Sequence, residues 1–177
     1  MLTHTSMRSA LSRRRRRLTT ILFALTASAA ALVAQPRPAI TVSGDVPRPV
    51  TLTASDLAGL PRTTVSTTSN GIATNYEGVL LGELLTRAGI VLGPGARGGS
   101  LSAYVVAIAS DGYQVVFSVG ELDPAITDGR YLVADKANGE ALFGENGSFR
   151  LVIPGDKRGA RSLRMLSTIK VVQVPRS

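Results

Sequence analysis

Cysteine is absent from this 177-residue chain, and histidine occurs once, as His4. Without a thiol, disulfides, thiol catalysis, iron–sulfur clusters and cysteine zinc sites are all excluded. His4 falls in a segment that reads as a secretion signal, so the domain beyond it has no imidazole for a Ser-His-Asp triad, a metal site or acid–base work. Few enzymes work without both residue types, although paired carboxylates or a bound cofactor can carry the chemistry instead.

Acidic residues are missing from the first 44 positions, whereas five consecutive arginines occupy residues 13–17. A charge-free apolar stretch follows at 18–34 and ends in small residues, the order of a cleaved signal peptide. It is short for a bilayer span and rich in Ala, Ser and Thr, which favours cleavage, between Ala29 and Gln35, over a permanent anchor. The sequence thus predicts a signal peptide at 1–34, a linker at 35–38 and one domain at 39–175. Its product is expected to be periplasmic or secreted, with membrane contact only during export.

The signal carries six of the 20 basic residues, which leaves fourteen against twelve acids, a net +2. The sequence pI of about 10.8 therefore reports export, and no charge patch remains to support a nucleic-acid partner.

Beyond the linker, apolar residues alternate at Ile40, Val42, Val50 and Leu52 around Gly44-Asp45, which predicts a hairpin. Thr53 to Asp56 forms a capping-box pattern opening a short helix that Gly59 and Pro61 end. A strand is expected at 63–68 and a turn at Asn70-Gly71. Leu81, Leu84, Leu85 and Ala88 recur at helical spacing, with Gly89 placed to end the helix and Glu77 and Glu83 flanking its start. A Gly/Pro loop at 92–100 leads to strands at 104–109 and 113–119 around Asp111-Gly112. Further strands are expected at 130–134, 149–153 and 168–174, and Glu121, Asp123 and Asp128 read as a capped turn and loop. Strands outnumber helices without βαβ alternation, so the predicted class is a mixed, β-rich α+β fold.

One loop stands out chemically. Residues 154–164 place Lys157, Arg158, Arg161 and Arg164 among three glycine or proline positions between two apolar strands. Cations beside accessible backbone N–H groups suit a phosphate or another oxyanion, and a solvated basic loop is the plainer alternative. Asp111 and Tyr113 flank a hairpin turn and acquire a role only if they face a cavity.

Taken in order, several segments resemble the molybdopterin-binding domain of the sulfite oxidase family. They are Gly-Asp-Val-Pro-Arg-Pro at 44–49, Leu-Thr-Ala-Ser-Asp-Leu-Ala-Gly-Leu-Pro at 52–61 and Tyr-Glu-Gly-Val-Leu-Leu-Gly-Glu-Leu-Leu at 76–85. Ala-Ser-Asp-Gly-Tyr at 109–113, Phe-Arg-Leu-Val-Ile-Pro-Gly at 149–155 and Gly-Ala-Arg-Ser-Leu-Arg-Met-Leu at 159–166 continue the series. The resemblance implies a mixed, β-rich sulfite-oxidase-like fold and a pyranopterin cofactor, molybdopterin. It implies that Arg161 and Arg164, with Lys157 and Arg158 nearby, help bind the pterin and its phosphate. Asp111 and Tyr113 match a motif of stand-alone members without an assigned role.

Full enzymes of that family hold molybdenum through two pterin sulfurs and one cysteine thiolate, which would fall at 64–70. Here that stretch reads Thr-Val-Ser-Thr-Thr-Ser-Asn. A neutral hydroxyl does not replace a soft, charged thiolate, so no protein residue is assigned as a metal ligand and no catalytic residue is named. The expected protein binds a pterin or another anionic small molecule without sulfite-oxidase-type catalysis, and a redox partner is left unassigned. Two alternatives stand beside it: a molybdenum oxidoreductase without a protein thiolate, and a cofactor-free interaction module.

Overall fold

The computed structural model describes residues 37–69 and 71–175. The signal, the first half of the linker and Asn70 of the expected turn lie outside them.

β1 (Ala39–Gly44) and β2 (Val50–Thr53) form the expected antiparallel hairpin. Alternation buries Ile40, Val42 and Leu52 and leaves the intervening threonines toward solvent. β1 also pairs in parallel with β10 (Leu166–Gln173), which continues antiparallel to β5 (Ala103–Ala109) and then β6 (Gln114–Ser118). The first sheet therefore runs β2-β1-β10-β5-β6 and joins the two ends of the described chain side by side.

The second sheet runs β3 (Thr63–Ser69), β4 (Ile72–Leu80), β7 (Leu132–Ala137) and β8 (Glu140–Ala141). β9 (Arg150–Val152) pairs with the other end of β7. β4 corrects the sequence reading, which had placed Glu77 at a helix start. Its segment has little apolar alternation before Tyr76, and its strand character comes from pairing with β3 on one side and β7 on the other. The strand expected at 130–134 lies later, at Leu132–Ala137, and the register shift between Glu77 and Gly78 of β4 leaves β7 with one extra residue, Asp135.

Helices are short. α1 (Ala54–Ala58) is opened by Thr53, whose side chain accepts from the Asp56 N–H while Asp56 accepts from the Thr53 N–H. α2 (Leu81–Arg87) buries Leu81, Leu84 and Leu85. Gly89 ends α2 at φ +93°, with its N–H donating to the Thr86 carbonyl and the Ile90 N–H to that of Leu85. That pair of bonds is a Schellman motif, and only a residue without Cβ adopts its geometry freely. α3 (Gly98–Leu101) interrupts the expected Gly/Pro loop.

The inner face of the first sheet, α2 and one face of the second sheet share the main core, which includes Ile40, Val79, Leu85, Val105, Phe117, Val133 and Ile169. A smaller cluster of Val65, Tyr76, Leu132, Ala134 and Val152 covers the opposite face of the second sheet. Since successive side chains alternate, Tyr76 and Glu77 leave β4 on opposite faces. Two separate cavities use those faces.

Candidate functional site

The smaller cluster ends in a polar cavity of about 370 Å³. Its walls come from Thr67, Thr68 and Ser69 at the end of β3, from Tyr76 and Arg150, and from the basic loop through Asp156, Lys157 and Arg158. The stretch where a metal-binding cysteine was expected thus meets the glycine-basic loop across one cavity. Thr67 lies two residues beyond Val65 in the same strand, which places it on the face shared with Tyr76, since Val65 pairs with Tyr76.

An adjoining cavity of about 350 Å³ is lined by Asp111, Tyr113, Arg164 and the turn at Gly159 and Ala160. Arg150, Gly159 and Ser162 line both cavities. All six residues singled out in the sequence therefore lie at this double cavity or on the loop that walls it, although their roles differ.

Lys157 and Arg158 have no carboxylate partner among the described residues and border the first cavity. Arg164 is exposed and reaches only Glu145, at 3.6 Å. These three are available to an anion. Arg161 is differently placed: Nε and Nη2 donate to Asp156 at 2.9 and 2.6 Å, and Nη1 donates to Glu121 at 3.3 Å. Its guanidinium also lies 5.4 Å from the centre of the Phe117 ring. Hydrogen bonding to Asp156 raises the Arg161 pKa further above its ordinary value, and the side chain braces the loop.

Other contacts fix the same loop. The Tyr113 hydroxyl donates to the Ala160 carbonyl at 2.8 Å, and the Ile153 N–H donates to Ser162 Oγ at 3.0 Å. Asp111 accepts from the Tyr113 N–H, so it shapes the hairpin turn while lining the second cavity. Glu121 caps the short turn Val119–Leu122 and accepts from the Tyr131 hydroxyl. Burial pushes the Glu121 pKa up, but hydrogen bonds from the Ser118 N–H, Tyr131, Ser118 Oγ and Arg161 outweigh it and hold the carboxyl below its ordinary value.

Arg150 is the site residue that residue-by-residue reading missed. It pairs with Ala134 across β9 and β7, lies 5.2 Å over the Tyr76 ring and donates from Nη1 to Asn146 at 3.0 Å. Its Nε is buried without a partner, the single such side-chain atom among the described residues. Within an apolar strand, one arginine carries no local pattern, and only the cross-strand register brings it to the cavity.

The profile of the oxidoreductase molybdopterin binding domain family matches residues 33–177. This chain belongs to that family. No curated protein matches the sequence. Among solved structures, the crystal structure of the sulfane dehydrogenase SoxCD from Paracoccus pantotrophus is similar, with a TM-score of 0.58 at 23% identity. The match covers 77% of this chain and 39% of that one, so the likeness is one of fold and the chain spans well under half of its neighbour's length.

The residues at the cavity fit one half of a molybdopterin and not the other. An orphaned guanidinium N–H, Lys157, Arg158 and the turn at Gly159–Arg161 suit a phosphorylated, hydrogen-bonding heterocycle. The metal half meets the hydroxyls of Thr67, Thr68 and Ser69 on β3, and Asp156, the carboxylate in the same lining, has both oxygens held by Arg161. Among the described residues no group of three or more His, Cys, Asp or Glu side chains is arranged to hold a metal.

Proposed function

We propose that this is an exported domain that holds a pterin or another anionic small molecule in the double cavity and does not catalyse sulfite-oxidase-type chemistry. The observation that carries the reading is Arg150, whose buried Nε faces no protein acceptor beside the unpaired Lys157 and Arg158. A buried donor without a partner costs roughly 1–3 kcal/mol, which an acceptor on a ligand would recover. When bound, a pterin would bring dithiolene sulfurs to the cavity. The chain's own residues would bind its phosphate, through Lys157, Arg158 and Arg164, and orient its ring against Arg150. Export is supported by the arginine run and apolar stretch at 13–34.

The test is to purify the full chain from a host that makes molybdopterin, then assay pterin by fluorescence and molybdenum by elemental analysis. Pterin at substoichiometric molybdenum, lost in Arg150→Met, is the expected result. Stoichiometric molybdenum with oxidase activity would overturn the non-catalytic reading. Absence of pterin, together with no phosphate binding by the purified chain, would overturn the ligand reading.

A further inference from the structure

A third cavity, of about 530 Å³, lies on the other face of β4 from the double cavity. Glu77 and Lys136 are a cross-strand pair and point into it, whereas Tyr76 points away to the basic loop. Its volume is in the range that accepts a small organic molecule.

The walls divide into two kinds. Ala54 and Ala58 of α1, with Ala141 of β8 and Leu142 directly after it, give an apolar side. At the polar end, Arg62 donates to Glu77 from Nε at 3.1 Å and to Asp135 from Nη1 at 2.9 Å, while Nη2 donates to both carboxylates. Those four bonds use four of its five N–H groups, so Arg62 and the two carboxylates largely satisfy one another. Two further cations line the cavity. Lys136 stands 3.8 Å from Glu77, and Arg37 has no carboxylate partner among the described residues. Three cations face two carboxylates, and the cavity is left with one excess positive charge beside an apolar wall.

We propose that this second cavity binds a small amphipathic anion, a carboxylate or sulfonate on an apolar body, with Lys136 and Arg37 receiving the charge and the Ala54–Ala58 side of α1 covering the body. Neither the pterin reading nor the double cavity is needed for it.

Binding of 8-anilinonaphthalene-1-sulfonate to the full chain tests this, with octanoate and octanol as competitors. One saturable site is expected, displaced by octanoate about tenfold more effectively than by octanol. Ala58→Phe fills the apolar side and should abolish binding, whereas Arg158→Ala at the double cavity should not change it. If Ala58→Phe fails to fold, the Arg37→Gln/Lys136→Gln pair decides, with an expected weakening of about tenfold. No saturable binding at millimolar probe, equal competition by octanol, or unchanged affinity in the charge pair would overturn the proposal. Loss of probe binding in Arg158→Ala would move the site to the double cavity and overturn the proposal as well.

Discussion

Arg161 grips Asp156 with two parallel hydrogen bonds across five residues of sequence, closing the glycine-basic loop on itself. The fork geometry requires a guanidinium, since a lysine ammonium cannot donate along both directions at once. Because Arg161 is partly exposed, solvent screens the charge, and Arg161→Ala is expected to cost only about 1–2 kcal/mol, part of it from the Phe117 contact. Arg161→Lys should recover less than half of that. Urea unfolding of the three proteins checks both values, and wild-type stability in Arg161→Ala would refute the bracing role.

Tyr113 gives a separable test of the same loop. Its hydroxyl holds the Ala160 carbonyl from the far side of the turn. Tyr113→Phe removes one exposed hydrogen bond, worth about 0.5–1 kcal/mol at most. Amide exchange at residues 159–163 should accelerate while the rest of the chain keeps its protection. Uniform acceleration throughout the domain would instead assign Tyr113 to global stability.

Acid should loosen this region through Glu121. Its folded pKa is lowered, so its contribution to stability is complete above the unfolded glutamate value, about 4.3, and is lost as pH falls through the folded value. Side-chain exposure keeps the effect under about 1 kcal/mol. Glu121→Gln should be less stable than wild type at pH 7, and the gap should narrow as the pH is taken below the ordinary glutamate range. Parallel urea titrations across that window are the measurement, and a gap that stays constant would refute the linkage. Asp56 is shifted in the same direction by its bonds with Thr53 and is common to both proteins.

The Arg62 and Asp135 pair is less forgiving. The Asp135 side chain is only 9% exposed, and both its oxygens accept from Arg62. Arg62→Ala would strand a buried carboxylate and is expected to cost about 3 kcal/mol. Adding Asp135→Asn to that variant removes the charge and should regain part of the loss. A double variant no better than the single one would show that Arg62 acts through packing alone.

Local pattern made much of this molecule readable. The capping box at Thr53, the Gly89 stop and the Asp111-Gly112 hairpin all fold as their residue types dictate. What stayed hidden depends on register. β4 became a strand through neighbours distant in sequence, which moved Glu77 from a helix entrance to an ion network with Arg62 and Lys136. The basic loop was visible as a cluster of cations, but composition cannot distinguish Arg161, which carboxylates hold, from Lys157 and Arg158, which they do not. Family resemblance pointed to this segment, and only the partners in the structure divide its arginines into those that carboxylates hold and those that they do not.

Gly78 shows the same dependence on register. A Cβ at that position would lie 2.0 Å from the Val133 carbonyl oxygen and 2.6 Å from the Ala134 Cα, both backbone atoms. Neither can give way without opening the β4–β7 ladder beside its bulge. Gly78→Ala is therefore expected to cost more than about 3 kcal/mol, against well under 1 kcal/mol for Gly155→Ala, where a Cβ would meet open space. Comparable melting temperatures for the two variants would contradict the close approach.

Thr67 offers the most direct test of why the cavity lacks a metal ligand. It shares the cavity face of β3 with Val65, which is paired with Tyr76, and it lies within the stretch where the family's thiolate was expected. Thr67→Cys would add a soft anionic donor at nearly constant side-chain size, beside cations that lower a thiol's pKa. Produced in a host that makes molybdopterin, this variant should retain at least about tenfold more molybdenum than wild type at similar pterin content. Ser66→Cys is the control, because Ser66 lies in the same stretch on the face opposite Val65 and Thr67 and does not line the cavity. Equal molybdenum in wild type and both variants would mean that a missing thiolate is not what separates this domain from a metal-binding one. Greater retention in Ser66→Cys would mean that the strand presents the opposite face to the cofactor.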